Sequence, residues 1–273
     1  MAADRAIRSS PKAKAAMNSN SFSLKNRLIE SLDTGAPTTT RALSQKLCQY
    51  QSSVSHTLKE LMEEGLVVKK GKSYSLSNVG IIQKNTQEWM GKTLRCLAEH
   101  RDFIQSHDLS GIPPVFQVTL GVVSDGREIF EIDPAIPSRI NEIVLPLLSQ
   151  ARSFLVASST LAPEHQITVV QAVRDGGRLQ SITTPRIIQE LRLKSYALRD
   201  ESLRSRIELY SRSEINLHLI VTETHLFLAL PRLDRTYDLE NIIISKEPLA
   251  VEWGRMLFYY FLSSGEKVDL SIF

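Results

Sequence analysis

The sequence has little cysteine and no long apolar segment. Its 273 residues include only two cysteines, Cys48 and Cys96, too few for a disulfide framework, which favours a reducing compartment. No stretch approaches the ~18 uncharged apolar residues that a membrane helix needs. The first 20 residues are basic but contain no apolar segment, so they do not have the pattern of a secretory signal. We therefore expect a cytoplasmic protein without a membrane partner, with a disordered basic N-terminus over residues 1–21.

A strong excess of one charge is also absent from the whole chain, whose 33 basic and 30 acidic residues give a net charge of +3. Their distribution is uneven, because residues 1–80 hold 12 of the basic and only 6 of the acidic residues. The N-terminal part is thus +6 and the remainder −3. This asymmetry indicates that the N-terminal part meets a polyanion. The length favours two domains.

The pattern over residues 22–76 predicts three short helices and a hairpin. Apolar residues recur at helical spacing, Thr39 or Thr40 can cap the second helix, and Ser52 can cap the third. Gly65 supplies a left-handed stop for the third helix. A hairpin with a glycine turn and a lysine-rich tip follows. Two helices joined by a tight turn and followed by a basic hairpin are the parts of a winged helix-turn-helix, which places its third helix in the major groove of DNA.

The third helix and the hairpin supply candidate contacts to double-stranded DNA. With Val54, Leu58 and Leu61 turned inward, Ser52, His56 and Lys59 face outward, and Ser55 and Thr57 lie on the flanks. Short polar side chains can reach base edges, whereas the lysines of the hairpin suit phosphates. For each residue alone, the alternative is an ordinary solvated surface. The predicted DNA-binding residues are Thr40, Gln51, Ser52, Ser53, Ser55, His56, Lys59, Lys69, Lys70 and Lys72.

This segment resembles a known family of DNA-binding domains. The run QSSVSHTLKEL over residues 51–61, followed by Glu64, Gly65, Leu66 and Val67, is similar to the recognition helix of arsenical-resistance-repressor (ArsR) type winged helices. The resemblance implies a transcriptional regulator that binds DNA as a dimer. It covers about a fifth of the chain and identifies the module better than the subfamily.

A long amphipathic helix is predicted after the hairpin, over about residues 78–105. It contains no proline, and its apolar residues recur at intervals of three to four. Its apolar side can pack on the second domain of the same chain or pair with a partner chain, and the pattern does not distinguish these. The residues that define it are Ile82, Trp89, Met90, Leu94 and Leu97.

The rest of the chain predicts an α/β domain. Gly111, Pro113 and Pro114 mark a boundary, after which strands and helices alternate. The predicted strands are 115–122, 127–132, 153–158, 178–183, 206–210, 215–222 and 225–231, and the predicted helices are 138–150, 163–174, one from 185, and 247–263.

This second part resembles the archaeal methanogenesis-regulatory (Fil-type) transcription factors. The resemblance lies in residues 107–114, 217–231 with Tyr237 and Asp238, and 249–260. Together with the winged helix it covers nearly the whole chain from residue 22. It implies an α+β protein overall, with a C-terminal α/β sensor domain similar in fold to the phospholipase D superfamily.

Catalysis of the phospholipase D type requires a histidine nucleophile with a lysine two residues later. None of the six histidines has one, and His218 is followed by Leu219 and Ile220. Nucleophile-elbow, phosphate-loop and His-Glu-x-x-His patterns are also missing. Cys96 and His100, four residues apart, are too few for a metal site, so a structural cysteine is favoured. We therefore expect no enzyme, no cofactor and no metal.

A binding site for a small-molecule effector is predicted where strands end and helices begin. Ser158, Ser159 and Thr160 follow one strand, and Thr183 and Thr184 precede Pro185. These groups can hold an anion or a polar molecule, and the alternative is ordinary helix capping.

Two further residues complete the predicted effector site. His218 is the first, and its alternative is a hydrogen-bonded interior histidine. Tyr237 is the second, and a role in a turn explains it equally well.

The sequence thus predicts a homodimeric transcription regulator controlled by an unknown effector. The predicted segments are a disordered N-terminus (1–21), a DNA-binding domain (22–77), a linker or dimerisation helix with a junction (78–112) and an effector domain (113–265). Two other functions stay open: an adaptor whose winged helix binds protein, and a phosphoester hydrolase with a DNA-targeting domain.

Overall fold

The computed structural model describes residues 24–32, 36–124, 129–130, 139–194, 200–239 and 241–273. The predicted disordered N-terminus lies outside these residues. The chain divides into two compact units, Met1–Glu88 and Trp89–Phe273.

Over the described residues before Asn78, the first unit contains three helices and a three-stranded sheet around one core. Leu28, Leu43, Val54, Leu58 and Leu61 are all fully buried in that core. The sheet has the order β1-β3-β2, all antiparallel, so the described elements follow the order of a winged helix-turn-helix. The elements are α1 (Leu24–Leu32), β1 (Thr38–Thr39), α2 (Thr40–Leu47), α3 (Gln51–Glu63), β2 (Val67–Lys70) and β3 (Ser73–Leu76).

The ends of these helices follow local capping rules, with one correction. The Thr39 hydroxyl caps α2 by accepting a hydrogen bond from the Ala42 N–H at 3.3 Å. Gly65 ends α3 with a φ of +73°, as predicted. The prediction that Ser52 caps α3 is wrong, because α3 begins one residue before it. Cys48, which follows α2, is exposed.

The helix after the hairpin is shorter than predicted. Helix α4 (Asn78–Glu99) ends before His100, and a separate α5 (Arg101–Ser106) follows. The start of α4 is fixed by Ser77, whose hydroxyl accepts a hydrogen bond from the Gly80 N–H at 3.0 Å.

The second unit is built on an eight-stranded mixed sheet. The strand order is β11-β7-β6-β5-β8-β9-β10-β4, with β5, β6 and β7 parallel and the other described pairs antiparallel. Its remaining elements are α6 (Pro114–Gln117), α7 (Gly121–Ser124), β4 (Ile129–Phe130), α8 (Arg139–Gln150), β5 (Ser153–Ser158), α9 (Pro163–Arg174), β6 (Arg178–Thr183), α10 (Pro185–Lys194), α11 (Glu201–Arg204), β7 (Ile207–Ser211), β8 (His218–Val221), β9 (Leu226–Ala229), β10 (Ile242–Ser245), α12 (Pro248–Leu262) and β11 (Glu266–Lys267).

Both faces of this sheet are covered. Alternate strand residues enter two separate clusters, because successive side chains of a strand point to opposite faces. One cluster contains Trp253 and Phe258 of α12, and the other contains Phe154 with residues of α8 and α9. The two-sided burial explains why β8, β9 and β10 consist of buried residues throughout.

The α/β fold class is as predicted, but one predicted strand is wrong. Residues 115–122 lie in and between the short helices α6 and α7. Pro113 and Pro114 favour the start of a helix, and the Trp253 indole donates a hydrogen bond to the Phe116 carbonyl at 3.3 Å. Of the predicted strand 127–132, the described part is β4, which pairs with β10, a strand that the sequence pattern did not predict. Within the described ranges, none of the helices has both the length and the hydropathy for a membrane crossing.

Candidate nucleic-acid interface and small-molecule cavity

Helix α3 presents a polar face to solvent. The inward stripe is Val54, Leu58 and Leu61 as predicted, but Thr57 is also buried, so its predicted place on the flank is wrong. Its hydroxyl donates to the Ser53 carbonyl at 3.0 Å and is therefore satisfied within the helix. The candidate DNA-binding residues of the helix are all exposed: Gln51, Ser52, Ser53, Ser55, His56 and Lys59.

The charges of α3 are separated along its length. The first turn contains no acidic residue, and the side chain of Tyr50 at the N-cap makes no capping hydrogen bond. The carboxylates lie near the C-terminal end, where Lys25 contacts Glu60 at 3.2 Å and Glu64 at 2.6 Å. Hydrogen bonds from Lys25 to Glu64 and then Glu60 raise the pKa of this lysine. The N-terminal half of α3 is thus the part of the helix that a phosphate can approach without meeting acidic groups.

The hairpin places three lysines at the surface. Lys69, Lys70 and Lys72 are exposed, and the Lys69 ammonium lies 5.4 Å from the centre of the Tyr74 ring. Gly71 makes the turn possible with a φ of +60°. We call β2, this turn and β3 the wing.

Three other residues of the first unit bear on this surface. Thr40, a predicted contact, is half-buried at the start of α2. Arg41 and Tyr50 were not predicted, although both are exposed, Tyr50 to 83%. Their position at the starts of α2 and α3 is the signal that sequence reasoning passed over.

The second unit contains a cavity of about 110 Å³ between the sheet and helices α9 and α10. Four neighbouring strands, β6, β5, β8 and β7, contribute its floor. Ser158, Thr160, Thr183 and His218 of the predicted effector site line it. The other lining residues are Val156, Leu161, Ala162, His165, Gln166, Val169, Val170, Leu179, Ser181, Ile187, Leu191, Ile207, Leu209 and Ile220.

Strand register brings the polar lining residues together. Ser158 at the end of β5 lies opposite Thr183 of parallel β6 and opposite His218 of antiparallel β8. The Thr183 hydroxyl donates to the Ser158 carbonyl at 2.6 Å, and His218 Nδ1 lies 2.8 Å from the Ser158 hydroxyl oxygen. His165 Nδ1 of α9 lies 3.5 Å from His218 Nε2. One end of the cavity is therefore a connected polar cluster.

Both histidines of this cluster are neutral at neutral pH. Burial, and then the neighbouring His165, lower the pKa of His218 to about 3. Burial likewise lowers the pKa of His165, which the nearby Glu164 opposes. A charged His218 would lose its hydration without gaining a counter-ion, and for His165 the loss of hydration outweighs the attraction of Glu164. The neutral form of both histidines is therefore favoured.

Three predicted effector residues do not line the cavity: Ser159, Thr184 and Tyr237. The Ser159 and Tyr237 hydroxyls are hydrogen-bonded to each other. The capping alternative for residues 158–160 is wrong, because the N-cap of α9 is Ala162 and it makes no side-chain hydrogen bond.

His165 is the functional candidate that the sequence reasoning missed. A signal was present, because His165, Val169, Ala172 and Val173 recur at the spacing of one helix face and all four are buried. Elsewhere in the described residues, no three potential metal ligands converge. Cys96 is buried in the core of the second unit.

Two of the solved structures to which the chain is similar are distant likenesses. The chain is similar to TrmBL2, an archaeal chromatin protein, at 15% identity over 95% of this chain and 100% of that one, with a TM-score of 0.42. It is also similar to Nuc, a phospholipase D family member from Salmonella typhimurium, at 13% identity over 47% of this chain and 90% of that one, with a TM-score of 0.33. These scores are too low to support conclusions about function.

Sequence comparison is more informative. The chain is 28% identical over 227 residues to the methanogenesis regulatory protein FilR1 of Methanothrix harundinacea (strain 6Ac), which covers 80% of this chain and 50% of the relative. The chain therefore spans about half the length of that relative. Residues 18–95 match the sequence model of the FilR1 N-terminal domain, and residues 137–264 match that of the FilR1 middle domain. Since these two matches follow one another and together cover more than half of the chain, it belongs to the Fil-type family of methanogenesis regulatory proteins.

Proposed function

We propose that this chain is a DNA-binding transcription regulator whose second unit binds a small effector. The observation that carries the DNA-binding part is the exposed polar N-terminal half of α3 together with the three exposed lysines of the wing. The net charge of +6 over residues 1–80 supports it. Membership of a family of regulatory proteins supports it as well.

The proposed reading of DNA uses α3 in the major groove. Serines, a glutamine and His56 in its first turns have hydrogen-bonding groups at the length that base edges require. Lys59 and the wing lysines contact phosphates and supply affinity that does not depend on sequence. Lys59 is available for this role because its partner Glu63 is 3.8 Å away and both side chains are exposed.

We propose that the regulator is a homodimer through α4. Trp89 and Cys96 of this helix pack on the core of the second unit, while an apolar stripe on another face is exposed. The stripe contains Val79, Ile82, Met90, Leu94 and Leu97, with exposed fractions from 42% to 67%. Such a stripe is typical of a helix that pairs with another copy. Two copies would present two α3 helices to half-sites about one helical turn apart.

The effector part of the proposal rests on the cavity of the second unit. An effector can act by binding one arrangement of the dimer better than another, which shifts the population that fits the operator. We propose no reaction for this unit, because His218 and His165 have no lysine two residues later.

The test is a titration of the full chain against a fluorescent duplex from its own upstream region, with unrelated duplex as competitor. We expect preference for the upstream duplex, weakening steeply between 50 and 200 mM salt. The triple variant Ser52→Ala, His56→Ala, Lys59→Ala should lose the sequence preference, because it removes two base-reading side chains. It should also bind every duplex more weakly, because it removes the phosphate contact of Lys59. Lys246→Ala, an exposed cation in the second unit, is the matched control and should bind as the wild type does. Absence of binding at both salt concentrations would contradict the proposal and favour a protein partner for the winged helix.

A further inference from the structure

The cavity of the second unit has an unusual combination of lining groups for a site expected to bind a polar molecule. Of its 18 lining residues, 11 are aliphatic and none is Lys, Arg, Asp or Glu. The polar groups gather at the end where Ser158, His165 and His218 meet. The cavity therefore offers an apolar body and one hydrogen-bonding end, without a charged partner for an ion.

The hydrogen bonds at the polar end determine which groups donate. The Ser158 hydroxyl donates to the Thr160 carbonyl at 2.9 Å and accepts from the Thr160 N–H at 3.1 Å. Its single proton is thus in use, so His218 Nδ1 must be the donor across the 2.8 Å contact to Ser158. His218 Nε2 is then an acceptor in the neutral ring, and it faces His165 Nδ1 as its donor.

Because Nδ1 of His165 is the donor in this series of hydrogen bonds, Nε2 of the same neutral ring is an acceptor. Among the residues that the structure describes, none hydrogen-bonds to this nitrogen. His165 lines the cavity although the residue as a whole is buried, so a molecule in the cavity could supply the hydrogen-bond donor that this nitrogen lacks.

We propose that the cavity binds an uncharged, mainly aliphatic small molecule that donates one hydrogen bond to Nε2 of His165. This inference rests on the proposed effector function and names the class of ligand, in place of the anion or polar molecule that the sequence allowed. The low pKa of both histidines agrees with it, because an anion would find no cation at neutral pH. An apolar cavity of roughly 150 Å³ binds benzene, so about 110 Å³ suits a ligand of similar size.

The test uses three probes of nearly equal length in isothermal titration calorimetry with the full chain at pH 7.5. They are 1-hexanol, which donates a hydrogen bond, 1-methoxypentane, which has the same number of heavy atoms but no donor, and hexanoate, which is charged. We expect 1-hexanol to bind about tenfold more tightly than the ether, the worth of one hydrogen bond. Hexanoate should bind more weakly than either. Equal or tighter binding of hexanoate, or binding of none of the probes, would overturn the assignment.

Three variants locate the bound probe. Val170→Phe fills the cavity from α9 and should abolish binding of 1-hexanol, whereas Ile167→Phe adds the same ring on the same helix at a position exposed to 70% and should not. His165→Phe should remove the preference for the alcohol over the ether while apolar binding persists. Thermal unfolding of each variant shows whether it is folded, and Leu191→Phe replaces Val170→Phe if the latter is not. Binding that survives both cavity-filling variants would contradict the proposal.

Duplex binding by the same preparations separates this proposal from the proposed function. A protein that binds DNA but no probe overturns the ligand class alone. A protein that binds 1-hexanol in the cavity but no DNA supports the ligand class and contradicts the regulator.

Discussion

The outer face of α3 and the cavity of the second unit both use serine, threonine and histidine, but in opposite environments. On α3, His56 is exposed and lies 3.3 Å from Glu60, so water and salt reach its contacts. In the cavity, His218 is buried and its contacts are two neutral groups of the protein. The same residue types therefore suit a charged, hydrated polymer in one unit and an uncharged small molecule in the other.

We expect the largest difference between the two regions from a substitution in the core of the first unit. Leu58→Ala should destabilise the first unit by about 2–5 kcal/mol, because Leu58 is fully buried on the inner side of α3. Chemical denaturation should show the loss, and DNA binding should fall with it, while 1-hexanol binding by the second unit is retained. Glu63→Ala, an exposed change on the same helix, is the control. Parallel loss of both binding activities in Leu58→Ala would show that the two regions are not independent.

A smaller effect is expected from the buried histidine pair at acid pH. The unfolded chain takes up a proton on His218 near pH 6.5, whereas the folded chain does so only near pH 3. The contribution of neutral His218 to the free energy of unfolding is therefore fully present above about pH 6.5, and it is lost as the pH falls from there towards 3. His218→Asn should remove part of this loss, so that Tm falls by several degrees less between pH 7 and pH 5 than in the wild type. His100→Asn, a half-buried histidine in the same unit, is the control, and an unchanged pH dependence in His218→Asn would show that His218 is not a neutral buried group.

The smallest effects are expected when a single hydroxyl group is removed near the start of α2 or of α3. Thr39→Ala should cost about 1 kcal/mol, because it removes the cap of α2. Ser52→Ala should change the free energy of unfolding by less than about 0.5 kcal/mol, because Ser52 is exposed and does not cap α3. Urea denaturation measures both, and a larger cost for Ser52→Ala would restore the sequence-based assignment of that cap.

The outer face of α3 could be predicted from the sequence because it depends on one helix. The spacing of Val54, Leu58 and Leu61 defines the buried side, and the exposed side follows from geometry. Thr57 departs from this pattern because its hydroxyl donates a hydrogen bond to the Ser53 carbonyl, which lowers the free-energy cost of burying the hydroxyl. Local rules likewise gave the glycine stop and the wing turn.

The cavity could be predicted only in part because it depends on contacts between distant segments. Ser158 and Thr183 were predicted at strand ends and His218 within a strand, but their meeting point depends on the register of three strands. His165 is 53 residues from its partner and belongs to a helix whose packing is tertiary. The wrong strand at 115–122 has the same origin, since its apolar residues suit either structure and the contact from Trp253 is long-range.

The central claim is that the wing and α3 bind DNA through charge and groove contacts. The most direct test measures the salt dependence of duplex affinity for the wild type and for the variant Lys69→Ala, Lys70→Ala, Lys72→Ala. If the three lysines contact phosphates, the slope of log affinity against log salt should become shallower by about 3. An unchanged slope in a folded variant would contradict the account, because it would place the DNA, or whichever partner binds, on another surface.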